Sequence, residues 1–138
     1  MPADLKQLSR RWFEEVWNRR RAEVIEQMLA HDVIAHGLGE SPDSGPAGVS
    51  QFIAFWEKFC GAFPDIRIDV EDVIAEGDRS AVRLSFGGTH DGHHLGIQPS
   101  GKSVRATALC MMRWRDGQIV EAWNEFDAMG LMRQVGAI

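Results

Sequence analysis

The sequence predicts an α+β fold: N-terminal helices packed on a strongly curved, mainly antiparallel sheet that encloses a pocket. Three observations carry this. Helical hydrophobic periodicity is confined to the region before Pro64, alternation with a period of two follows it, and large aromatic side chains occur in both halves.

The first helix is read from Leu5, Leu8, Trp12, Phe13, Val16 and Trp17, with a break near Asn18. Val24, Ile25, Met28 and Leu29 mark a second, short helix. The segment HDVIAHGLGESPDSGPAG is rich in Gly, Pro and Ser and reads as a loop, with a short strand at Val33–His36. Val49, Phe52, Ile53, Trp56, Phe59, Cys60 and Phe63 form the third helical stripe; Pro46 suits its start and Pro64 stops it. Ile66, Ile68 and Val70 then alternate with Arg67, Asp69 and Glu71. A turn at Glu76-Gly77-Asp78 leads to a strand over Ala81–Thr89, followed by the Gly-rich stretch GGTHDGHHLGIQPSGK. Ser103–Trp114 is a long strand, Asp116-Gly117 a hairpin signal, and Gln118–Phe126 the last strand, before a short helix or tail. No helix remains for parallel crossovers, so the strands are expected to pair antiparallel.

With 138 residues, 44% hydrophobic and 25% charged, the chain fits one domain, residues 1–138, able to bury a core. A net charge of −5 gives no global basis for holding phosphate backbones, so nucleic acid is not an expected partner. Arg10, Arg11, Arg19, Arg20 and Arg21 read as a solvated helical surface. Cys60 and Cys110 lie in apolar runs without C-x-x-C spacing, which argues for small core side chains over a disulfide framework or zinc site. The start MPADLKQLSRRW lacks the apolar stretch of a signal peptide and no segment is long and apolar enough for a membrane, so a cytoplasmic location is expected.

Several motifs occur in order: VIAHG at 33–37, GPAGVSQFIAFW at 45–56, the FPD and GTH of segment 62–90, the G-I-x-P-[ST]-G loop and E-x-W-x-x-x-D within 95–127, and D-x-x-G-L at 127–131. Through them the chain resembles the SnoaL-like polyketide cyclases of the NTF2-like superfamily. That resemblance implies an NTF2-like cone and cofactor-independent, intramolecular aldol closure of a polyketide ester. It also implies an aspartate near the end of the last strand as general acid/base, here Asp127.

Aldol closure needs a base and one or two hydrogen-bond donors, with no metal or cofactor. Strict alternation puts Trp123 and Asp127 on one face of their strand. If Trp123 faces the cavity, the carboxylate lies over an apolar wall, which raises its pKa. The competing role for Asp127 is N-cap of a helix over Ala128–Arg133, and both roles need the same oxygens. The resemblance places His36 at the cavity mouth as a second catalytic candidate; the bland reading is an exposed loop histidine. Arg83, amid apolar neighbours, suits a substrate carboxylate or carbonyl, with pairing to Glu121 or Asp127 the favoured alternative. Trp56, Phe59, Phe86, His90, Trp123 and Asn124 complete the substrate-binding candidates, although any one of the aromatics would serve a plain core equally well. Asn124 and Glu125 either shape substrate choice or face outward. His90, Asp91, His93 and His94 offer metal-ligand chemistry, but a Gly-containing hairpin tip rarely provides the rigid frame zinc wants, and no metal is expected.

The expected ligand is thus a small hydrophobic organic compound. The rival functional classes are a non-catalytic binding module and an epoxide hydrolase or isomerase. The hydrolase wants a second carboxylate with an orienting Arg, and steroid-type isomerisation a Tyr donor, which a chain with no tyrosine lacks. Met111 and Met112 point to opposite faces of a long strand, and a homodimer through the sheet is expected.

Overall fold

Asp4 opens the first helix by accepting hydrogen bonds from the backbone N–H groups of Lys6 (3.0 Å) and Gln7 (3.2 Å). The computed structural model describes residues 4–38, 45–92 and 98–138. Helix α1 (Leu5–Arg11) continues into a wider π-helical segment, Trp12–Asn18. The extra residue per turn lets Trp12, Phe13, Val16 and Trp17 all reach the core. The expected break falls at Asn18. Its amide donates to the Ile68 carbonyl (2.9 Å) and accepts from the Ile68 N–H (2.7 Å), tying the helix end to the sheet edge.

Helix α2 (Ala22–Met28) runs directly into β1 (Leu29–His36). Helix α3 (Val49–Ala62) buries Phe52, Trp56 and Cys60 and ends before Pro64. The strands β2 (Arg67–Glu76), β3 (Arg79–Thr89), β4 (Ser103–Arg115) and β5 (Gln118–Phe126) follow, and α4 (Ala128–Gln134) closes the chain. Asp116 and Gly117 both take positive φ, 53° and 78°, which two-residue hairpins of this hand require.

The sheet order is β1-β5-β4-β3-β2, antiparallel except that β1 lies parallel to β5. This corrects two expectations. The first strand spans eight residues from Leu29, not only Val33–His36, and one parallel pair exists. The reason is that β1 precedes the β2–β5 meander, so the chain between β1 and β5, α3 included, acts as one long crossover. Register shifts between Leu29 and Ile34, Val70 and Asp72, and Arg113 and Trp114 bend the sheet.

The helices cover the concave face. There β4 presents Val104, Ala106, Ala108, Cys110 and Met112. The middle three are small while the facing side chains of α3 are aromatic, and that mismatch leaves space.

Candidate functional site

The space is a chamber of about 80 Å³ walled by Trp17, Phe55, Phe59, Leu84, Phe86 and Phe126, with Phe13, Leu38, Ile66, Ile68, Ala108, Cys110 and Asn124 completing the described lining. Its aromatic wall is continuous: Phe59 meets Trp17 and Phe86 edge-on, each at 6.0 Å between centroids. A second chamber of about 50 Å³ shares Phe13, Trp17, Leu38, Cys110 and Asn124 with the first. Cys110 and Asn124 are cross-strand partners on β4 and β5 and mark where the two chambers meet.

Asn124 is the one carboxamide of the described lining, beside the indole of Trp17 and the Cys110 thiol. Its Nδ2 donates to the His36 carbonyl oxygen at 3.0 Å. The next residue, Gly37, has φ +83°, and a Cβ there would collide with the Asn124 backbone carbonyl, so only glycine lets β1 end this close to β5. Burial pushes the Cys110 thiol up to about 12, and the thiol is protonated throughout the physiological range.

On β5 the inward residues are Ala122, Asn124 and Phe126. Trp123 therefore faces the outer side of the sheet, against the expectation. It stacks on His36 at 5.7 Å with the Arg79 guanidinium 5.7 Å from its ring centre. His36 is on the same outer face and not at the cavity mouth, because Val33 and Ala35 take the inward positions of β1. Its Nε2 lies 2.7 Å from Glu121 Oε2, and Arg113 reaches the other oxygen at 3.3 Å. The His36 contact, seconded by Arg113, holds the Glu121 carboxyl below its ordinary value.

Arg83 is also exposed on the outer face. It pairs with its cross-strand neighbour Asp72 at 2.9 Å, and not with Glu121 or Asp127. Arg83 and Asp127 line an outer-face depression together with Glu125 and Phe126, and among the described residues no arginine–carboxylate pair lines the chamber. Asp127 is exposed and caps α4: its carboxylate accepts the Gly130 N–H at 2.9 Å. A Cβ at residue 130 would collide with that carboxylate, so the D-x-x-G spacing has a structural reason here. Trp56 is core, its indole N–H donating to the Val16 carbonyl at 3.1 Å.

Of the expected site residues, then, Phe59, Phe86 and Asn124 meet at the cavity. His90 lies just beyond it. It is fully buried and packs on Phe63 at 5.6 Å, while Phe63 packs on Phe59 at 5.3 Å. The Ser100 N–H donates to Nδ1 at 3.2 Å, so the imidazole proton sits on Nε2, which has no partner among the described residues. The FPD and GTH motifs hold this corner together. Asp65 accepts from Thr89 through both N–H (2.6 Å) and Oγ1 (2.8 Å), and the Asp91 and Gly92 N–H groups bind the Ala62 carbonyl at the end of α3. His93 and His94 lie outside the described residues, and among the described ones no group of three metal-ligating side chains occurs.

Sequence reasoning did not single out Leu38, Ala108 or Cys110 as lining. The available signal was the run of small inward residues at Ala106, Ala108 and Cys110 facing an aromatic helix.

A family model described as SnoaL-like polyketide cyclase matches residues 7–135. Probable cyclase otaY of Aspergillus carbonarius is 30% identical over 114 residues, spanning 78% of this chain and 89% of that protein. IdmH of Streptomyces antibioticus, a candidate polyketide cyclase, superposes with a TM-score of 0.84 at 28% identity, over 97% of this chain and 99% of its own. AclR of Streptomyces galilaeus, a candidate hydroxylase, superposes at 0.82 with 28% identity, over 96% of this chain and 81% of its own.

Proposed function

Because the chain belongs to the SnoaL-like polyketide cyclase family, we propose that it takes a small hydrophobic carbonyl compound of polyketide type into the cavity under α3 and promotes its aldol-type ring closure without a cofactor. The observation that carries this reading is an aromatic cavity holding one oriented carboxamide, Asn124. Apolar walls force a flexible chain to fold on itself, which brings the two reacting carbons together before any bond forms. Pockets for drug-sized ligands run to roughly 300–1,000 Å³. A multi-ring substrate must therefore part the walls, and a one-ring compound fits with little movement.

In the closure, a proton leaves a carbon between two carbonyls, the resulting enolate carbon bonds to a second carbonyl carbon, and the new alkoxide takes up a proton. Asp127 is the general acid/base of this reading. Its support is its place directly after Phe126, whose ring is a cavity wall. To act, the carboxylate has to leave the Gly130 N–H and turn toward the chamber.

Asp127→Asn tests this cleanly, because Asn caps a helix about as well as Asp while losing the base. Turnover of a cyclisable substrate should fall by about 10²–10⁴-fold with ligand affinity unchanged. Full activity in the variant removes Asp127 from the chemistry. A second reading, binding without chemistry, is favoured by the exposure of Asp127 and its engagement as a cap. It requires tight uptake of ligand with no conversion by either protein. We further propose a cytoplasmic homodimer joined through the outer face of the sheet.

A further inference from the structure

We infer that Asn124 makes the cavity selective for ligands presenting a hydroxyl, an enol or phenol O–H, over the corresponding ketone or ether. The inference rests on the cavity being the ligand site, as proposed above, and adds the functional group it reads.

The Asn124 amide has one fixed orientation. The His36 carbonyl oxygen can only accept, so the Asn124 atom 3.0 Å from it must be Nδ2. The His36 carbonyl is itself fixed, since β1 and β5 pair in parallel with His36 opposite Trp123, and Gly37 lies tight on the Asn124 backbone. Rotating the amide by half a turn would set two oxygens against each other. Oδ1 is thereby left as an acceptor without a protein partner among the described residues. The neighbouring Cys110 thiol, though protonated, makes no hydrogen bond to it.

Oδ1 is not among the fully buried unpaired atoms, so the cost falls on a ligand that excludes solvent from it without supplying a donor. A ligand hydroxyl satisfies Oδ1. An ether or ketone oxygen displaces any water there and puts lone pair against lone pair. Sites built to bond a hydroxyl discriminate strongly against analogues lacking it, because the unpaired protein group adds to the loss. For a polyketide this selects the enol tautomer, the form from which the carbon nucleophile arises.

The test uses phenol, anisole and toluene as probes, sized for the two chambers, with binding to the whole chain measured by ligand-observed NMR titration. The phenol-to-anisole affinity ratio in the native protein should exceed that in Asn124→Leu by about threefold to tenfold. Because the substitution also removes the bond to His36, a second measurement uses the native protein alone. The Asn124 side-chain amide resonances should move on titration with phenol and stay near their free positions with toluene. An unchanged ratio in a folded variant, or equal amide shifts with both probes, overturns the selectivity while leaving the cavity as the ligand site. Failure of all three probes to bind overturns the cavity reading itself, and this inference with it.

Discussion

Cys110 shows how far burial alone reshapes a side chain in this protein. Its thiol has a pKa pushed up to about 12 from an ordinary 9.0, by desolvation and no other cause. Between those two values an unfolded chain loses the thiol proton and the folded chain keeps it. The unfolded state then binds fewer protons, and stability must fall as pH rises from about 9 toward 12. Urea midpoints measured at pH 8 and pH 10.5 should drop less in Cys110→Ala than in the native protein; equal drops would show that this thiol is not desolvated. Phe59 and Phe86 were legible in the sequence as cavity-lining aromatics, since large rings on a helical stripe and on an alternating strand stand out locally, whereas for Asn124 the sequence leaves a substrate-shaping and an outward-facing role open. The N-cap role of Asp127 was legible too, but the outward direction of Trp123 was not. Alternation fixes which residues share a face and says nothing about which face is inside. On β5 both Ile119 and Val120 are buried and a register shift lies opposite at Arg113–Trp114, so the pattern carries no absolute phase.

Among the elements, α4 has its N-terminus capped by a single side chain. Asp127 satisfies the N–H of Gly130, and residue 130 has no room for a Cβ while the carboxylate is there. In an ordinary helix interior, Gly→Ala stabilises by about 1 kcal/mol. Gly130→Ala should forfeit that gain because it evicts the cap. Asp127→Ala should cost about 0.5–2 kcal/mol and Asp127→Asn only a small fraction of it, all read from urea unfolding. A Gly130→Ala protein more stable than the native one would mean the cap contributes nothing. Helices and hairpins were readable because their signals are local: the stripe on α3, the Pro64 stop, and Asp116-Gly117. The parallel pairing of β1 was not, because it joins residues such as Ala35 and Ala122 across most of the chain, and its strand is interrupted by a register shift after Leu29. The Asp65–Thr89 link joins two motifs recognised separately in the sequence, but their contact is a property of the fold.

At the scale of the molecule, the outer face of the sheet carries one row that crosses all five strands. Ile74 pairs with Ala81, Ala81 with Met111, Met111 with Trp123, and Trp123 with His36. Ile74, Leu109, Met111 and Ile34 on this face are 68%, 59%, 41% and 43% exposed. Ile74, Ala81, Met111 and Trp123 follow one another along this row, with Leu109 and Ile34 beside it, and adjoining apolar side chains rather than single scattered ones are what an interface between protein surfaces uses. Two of the ion pairs on the same face, Arg83 with Asp72 and Arg113 with Glu121, are already matched within the chain, so covering those pairs strands neither charge. A two-fold arrangement that lays this row on its own copy satisfies both conditions. Light scattering after size exclusion should then give a mass near twice the 15.4 kDa of the chain at micromolar concentration. Met111→Glu puts two like charges at the centre of that contact and should yield monomer with unchanged far-UV circular dichroism. A native protein that elutes as a clean monomer at that concentration excludes the outer face as a self-association surface, and a Met111→Glu dimer moves the interface elsewhere.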